Sequence, residues 1–211
     1  MTLQVKISKK LIPYKTAFSL LKKRVGLIKK SKGQELVWIL EHPITYTSGI
    51  RSKENEILDK KIKIIQTNRG GKITLHSPGQ KIVYFVLDLN KRKRDIKNLV
   101  KQIELSIIDF LKLYRIKGYA DKKNIGIWVK NKKIAAIGIR VSNWVAYHGF
   151  SINISNDLKL YKKIIPCGLD NTKVTTAITE SKIKIFNVEN KLLFGLDCAM
   201  LFFHLYLFEL F

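Results

Sequence analysis

Two segments leave this chain the least freedom. ELVWILEH at 35–42 and KIVYFVLDL at 81–89 are apolar runs of strand length, rich in β-branched and aromatic side chains. Such runs fit strands buried within a sheet, the first of them stopping at Pro43. Helical patterns lie around them. Residues 14–29 place apolar side chains at helical spacing with lysines on the other face. Residues 96–114 form the clearest amphipathic helix, and Asp95 stands where it can cap it. KIKIIQTN (61–68) alternates as a strand. NIGIWVK (124–130) and KIAAIGIRV (133–141) read as strands joined by a tight turn at Asn131-Lys132, with WVAYHGFSINIS (144–155) as a third nearby. Residues 44–60 are polar and read as a loop with at most a short helix. Residues 164–177 also read as a loop, and the pattern after Val188 is helical. Hairpin connections outnumber crossover helices. The expected class is therefore α/β of the α+β type: a mixed, largely antiparallel sheet with packed helices. No repeat or linker divides the 211 residues, so 1–211 is expected to form one domain.

Charge narrows the partners. Lys and Arg number 40 against 16 Asp and Glu, a net +24. That surface steers acidic partners such as nucleic acid, an anionic membrane or an acidic protein. The excess is mostly Lys alongside Ile and Asn, which is equally what a genome-wide compositional bias produces. Cys167 and Cys198 lie far apart with no CxxC, so neither a zinc site nor a disulfide framework is expected. The N-terminus has no apolar run suited to a signal peptide, so the cytoplasm, with both thiols reduced, is the expected compartment. The tail, 192–211, is very apolar but carries Asp197 within it. A core-packed helix is expected there rather than a membrane span.

Few residues have the makings of a catalytic site. Cys167 lies in Ile-Pro-Cys-Gly-Leu, where proline and glycine fix a sharp turn and leave backbone N–H groups free beside the thiol. The plainer alternative is a small buried hydrophobe. A nucleophilic thiol needs a base or cation nearby, and Lys133, His76 and His148 are the candidates. Lys133 opens a strand of apolar and small residues, and burial there would let it take a proton from a thiol, although a hairpin lysine is more often plain surface. RGGKITLHSPGQ (69–80) brings Gly70-Gly71, which allow close backbone approach to a ligand, near Arg69, Thr74 and His76. It matches neither phosphate-binding glycine motif. No His cluster or carboxylate pair points to a metal.

Taken with IPCGL and with KKIAAIGIRV followed by YHGFSINIS, the segment RGGKITLHSPGQKIVYFVLDL resembles the signature of the lipoyl(octanoyl) transferase family, the octanoyl-[acyl-carrier-protein]:protein octanoyltransferases. With the EHPITYTSG region the resemblance spans about residues 35–178. It implies the fold of the biotin/lipoate ligase catalytic domain. It also implies transfer of an octanoyl group from acyl carrier protein to a lysine of a lipoyl domain, without ATP, metal or other cofactor. Cys167 would form the acyl-thioester, and Lys133 would keep the thiol ionised and act as general acid and base. Arg69, Gly70, Gly71, Lys72, Ile73, Thr74, Leu75 and His76 would line the acyl site together with Ala136, Ile137, Gly138, Gly149, Phe150 and Ser151. The acceptors would be lipoyl domains of 2-oxoacid dehydrogenase complexes and the glycine cleavage H protein. One departure stands out: Ser77 replaces the family's usual glycine, at a cost of about 1 kcal/mol or more if that position needs positive φ. An ATP-dependent lipoate–protein ligase of the same fold is the alternative enzyme. A basic nucleic-acid-binding module is prompted only by charge and lacks any binding motif.

Overall fold

A computed structural model describes residues 3–121, 123–166 and 173–193. Its elements in chain order are β1 (Leu3–Ile7), α1 (Tyr14–Lys29), β2 (Glu35–Leu40), β3 (Thr45–Ser48), β4 (Ile64–Gln66), β5 (Thr74–His76), β6 (Gln80–Asp88), α2 (Ile96–Lys112), β7 (Tyr119–Ala120), β8 (Ile127–Val129), β9 (Lys132–Ser142), β10 (Val145–Asn153) and α3 (Ala177–Glu180). Seven strands form one sheet in the order β1-β2-β6-β10-β9-β8-β7, and β4-β3-β5 form a smaller one. Among the described strands, only β1–β2 and β3–β4 pair in parallel. The expected mixed, largely antiparallel sheet with packed helices is what the chain builds.

The two apolar runs lie side by side in the middle of the large sheet because both of its faces are covered. Leu36, Trp38 and Leu40 of β2 and Ile82, Tyr84 and Val86 of β6 pack with Tyr14, Ala17, Leu21, Val25 and Ile28 of α1. Their neighbours Val37, Ile39, Val83, Phe85 and Leu87 pack with Leu99, Ile103, Ile107 and Phe110 of α2. A strand covered on both faces has no side to present to water, so it reads as a continuous apolar run rather than an alternation. Each such Leu, Ile or Phe contributes about 1.5–3 kcal/mol by leaving water. Asp95 caps α2, its carboxylate accepting from Asn98 N at 2.9 Å. The helix ends at Lys112, short of the expected 114. There Leu113 and Tyr114 donate to carbonyls three residues back, and Arg115 turns to a φ of 58°.

Other expectations shift as well, the strand expected over 124–130 among them, which contracts to Ile127–Val129. Residues 45–48, expected as loop, form β3. This polar four-residue strand gains its order from partners on either side, the parallel β4 and the antiparallel β5, which local propensity does not reveal. The strand expected over 61–68 contracts to Ile64–Gln66. The β8–β9 turn falls one residue earlier, on Lys130 and Asn131, whose φ values of 47° and 62° match the type I′ turn that suits a twisted hairpin.

A buried ion pair fixes the β6–α2 connection. Glu35 Oε2 accepts from Arg92 Nη2 at 2.6 Å, while Oε1 accepts from Arg92 Nη1 and from Asp88 N. Both side chains are 6% exposed. Glu35→Ala strands a buried guanidinium, so it is expected to cost about 3–5 kcal/mol in urea unfolding.

Residues 188–193 are helical, and Leu192 packs into the α2 core. The rest of the tail expected to pack as a helix, and Cys198, lie outside the described residues. Among those described, no helix is long and apolar enough to cross a membrane.

Candidate active site

A cavity of about 280 Å³ opens on the face of the large sheet that carries α1, near the lower end of small-molecule sites. Arg69, Gly71, Lys72, Ile73, Thr74 and His76 line one wall. Ala136, Ile137 and Gly138 of β9 and Gly149, Phe150 and Ser151 of β10 line another, and Lys133 lies at its edge. Gly70 and Leu75 do not reach the cavity. Gly70 instead ties the loop to β9, its N–H donating to Ile139 O at 3.3 Å. Leu75 alternates away from Thr74 and His76 and is fully buried with Tyr46 and Tyr161.

Backbone geometry aims these walls. Gly149 stands opposite Tyr84 on one side and Gly138 on the other. A Cβ there would come within 1.9 Å of Val83 O, so only glycine fits. The preceding residue, His148, takes a φ of 69° in mid-strand, a left-handed conformation that costs of order 1–3 kcal/mol and tends to occur at functional sites. It turns the imidazole to the cavity side, stacked on Tyr147 at 4.9 Å and Phe18 at 5.5 Å. Ser77–Gln80 is a type II turn, with Gln80 N donating to Ser77 O at 3.1 Å and Gly79 at a φ of 83°. The positive φ falls on Gly79, and Ser77 carries none of the strain considered for it.

The groups forming and backing the cavity floor are polar but uncharged, His42 lying behind Tyr84 rather than at the cavity. Burial pushes His42 down to about 4. Burial, helped by the Arg69 and Arg140 charges, pushes His148 down to about 3. His76 is likewise held well below the usual histidine range, chiefly by burial. All three are neutral at physiological pH. Tyr14 stacks on His76 at 5.9 Å, and Tyr84 O–H donates to His42 Nε2 at 2.8 Å. Burial raises both tyrosines, which stay protonated. Around this floor stand Arg51, Arg69, Lys72, Lys123 and Lys133, with no carboxylate among the described lining residues. Arg69 is anchored by bonds to Thr47 O at 2.9 Å, Thr47 Oγ1 at 3.0 Å and Gly70 O at 3.1 Å. Lys72 pairs with the buried Glu56 at 3.1 Å. Among the described residues no group of His, Cys, Asp and Glu is arranged to hold a metal.

Lys133 is 6% exposed. Its ammonium donates to Ile125 O at 2.9 Å and lies 5.5 Å from the Trp128 ring. Its stem crosses Gly126, where an added Cβ would sit 2.6 Å from Lys133 Cε. Cys167 lies outside the described residues, but the chain on both sides of it meets Lys133. Pro166 and Val174 share a small cleft with Lys133. Lys133 N donates to Lys173 O at 2.8 Å, and Thr175 N donates to Lys133 O at 3.0 Å. Sequence reasoning missed Tyr14, Arg51, Ile82, Tyr84 and the 123–125 wall. Ile82 and Tyr84 lie inside the signature at 69–89 but carry no site role there, whereas Tyr14, Arg51 and 123–125 sit in no motif and only the fold brings them to the cavity.

Chemically this is a narrow, partly apolar cleft with a cationic mouth and a buried amine at its edge, suited to an acyl chain with a reactive carbonyl at one end. The catalytic-domain model for lipoyl protein ligases A and B matches residues 13–194. An octanoyltransferase of Wolbachia sp. subsp. Brugia malayi is 42% identical over 191 residues, 87% of this chain and 93% of the relative. One from Bartonella bacilliformis is 40% identical over 202 residues, 89% and 84% of the two chains. Among solved structures, lipoate-protein ligase A bound with ATP superposes with a TM-score of 0.72 at 15% identity, covering 93% of this chain and 85% of that one. The bipartite lipoate protein ligase of Thermoplasma acidophilum gives 0.71 at 15%, covering 95% and 84%. At that identity the two structures speak for the fold alone. The chain belongs to the octanoyltransferase family, built on the lipoyl protein ligase A/B catalytic domain.

Proposed function

We propose that this protein, its residues 1–211 acting as one catalytic domain in the cytosol, moves an octanoyl group from acyl carrier protein to a lipoyl-domain lysine through a thioester on Cys167. The Cys167 thiolate attacks the carrier thioester, the phosphopantetheine thiolate leaves, and octanoyl stays on Sγ. The amine of the target lysine then attacks that thioester and releases the thiolate. Lys133 takes the proton from the thiol, protonates the departing phosphopantetheine sulfur and accepts the proton shed by the amine. Backbone N–H groups near Gly71 or Cys167 hold the oxyanion in both steps. The donor is already activated, so neither ATP nor a metal enters.

The observation that carries this reading is Lys133, buried at the edge of an acyl-sized cleft, with the chain before and after Cys167 held against it. The cationic lining, with no carboxylate among its described residues, favours an acidic carrier and acidic lipoyl domains, those of 2-oxoacid dehydrogenase complexes and the glycine cleavage H protein. The ATP-bound ligase of the same fold keeps one other reading open, activation of a free acid by ATP. Incubation with octanoyl carrier protein and an apo lipoyl domain, with nucleotide removed, separates the two. The expected result is octanoylated domain. Modification that appears only with ATP and free octanoate would overturn the proposal.

A further inference from the structure

A buried hydrogen-bond chain joins the acyl cavity to the strand segment beside Lys133. Its direction can be read from one end. Thr175 O can only accept, so Asn153 Nδ2 donates to it at 3.1 Å and Asn153 Oδ1 is left as an acceptor. Gln80 Nε2 donates to that oxygen at 2.8 Å and to Tyr161 O–H at 3.0 Å. Tyr161 O–H itself donates to Asn153 Oδ1 at 3.3 Å. Gln80 Oε1 is thereby turned to His76 Nδ1, 2.9 Å away, which must carry the ring proton. At the other end, Thr175 N donates to Lys133 O. Gln80 and Thr175 are each 1% exposed, Asn153 5% and His76 6%, so water offers these groups little alternative.

We infer that Gln80 and Asn153 are positioning residues that set the tautomer of His76 and hold residues 173–175 against Lys133. The acyl cavity and the general base then form one hydrogen-bonded unit, although neither residue lines the main cavity. His76 presents its unprotonated Nε2 as an acceptor. Burial keeps the ring neutral, so the cavity wall offers an acceptor without charge. The kinetic consequence rests on the octanoyl-transfer reading; the tautomer does not.

The test has two readouts. In ¹⁵N-resolved imidazole spectra at neutral pH, His76 is expected as the Nδ1–H tautomer. In Asn153→Ala the Gln80 amide is free to turn over, and a mixture containing Nε2–H is expected. In transfer assays, Asn153→Ala and the isosteric Gln80→Glu should each lower kcat by about 10²-fold with KM for the carrier little changed, the loss typical of a small misplacement near the reacting groups. The double variant should be no worse than the poorer single one, because both break the same chain. Thermal melts select variants that fold. An Nε2–H tautomer in the unaltered protein, or full kcat in both folded single variants, would overturn the inference. A protein that shows the Nδ1–H tautomer and its loss in Asn153→Ala, but no octanoyl transfer at all, would instead discard the transferase reading.

Discussion

Lys133→Ala is expected to lower octanoyl transfer by about 10³-fold while the fold stays in place, a loss within the range for a general acid–base group. Among the described residues the side chain gives up its hydrogen bond to Ile125 O and its contacts with Gly126 and Trp128. Its backbone bonds to Lys173 and Thr175, which hold the strand segment, remain. Lys133→Arg should be nearly as inactive, because a guanidinium does not release its proton in a protein and its planar fork is shaped differently from an ammonium. Single-turnover assays check this by following carrier deacylation and lipoyl-domain acylation separately, and both steps should slow. A Lys133→Ala protein with full turnover and an unchanged melting temperature would remove the amine from the mechanism.

The second large effect is on acid stability. His42, His76 and His148 are neutral in the folded protein because burial disfavours their charged forms. In the unfolded chain they return to about 6.5. Their folded values lie below the unfolded ones, so the stability they contribute is fully present above pH 6.5 and is lost as pH falls. The loss levels off only when the folded-state values are reached, about 4 for His42 and about 3 for His148. Between pH 6 and 5 the unfolded state binds close to one more proton each for His42 and His148, which amounts to roughly 2 kcal/mol per pH unit for the pair, and His76 adds in the same direction. The positive charges of Arg69 and Arg140 near the cluster act in the same direction. Urea titrations at successive pH values measure the slope directly. A slope worth less than one proton across that interval would mean that these rings are not held neutral.

Much of the fold is legible in the chain because its strongest local signals and its tertiary structure agree. The runs at 35–42 and 81–89 are continuous because α1 and α2 cover opposite faces of the same strands. The α1 boundaries follow directly from the apolar spacing after Pro13. The signal fails where order is borrowed from elsewhere. Residues 45–48 are polar and become a strand only because β4 and β5 flank them. The site divides in the same way. Thr74, His76, Tyr84, Gly138 and Gly149 sit in motifs, whereas Tyr14 and Arg51 reach the cavity from α1 and a loop with nothing local to mark them. Leu75 shows the limit of a contiguous motif: a strand within it must turn alternate residues away from the ligand. Ser77 shows that a residue substitution is interpretable only once the turn is known, because the left-handed position belongs to Gly79.

The most direct measurement is to mix the protein with octanoyl carrier protein alone, quench, and map the adduct by peptide mass spectrometry. A single octanoyl group is expected on the peptide containing Cys167, formed without nucleotide, discharged on adding apo lipoyl domain, and absent from Cys167→Ser. Octanoyl transfer that proceeds at full rate in Cys167→Ser, with no acylated form of the protein, would contradict it.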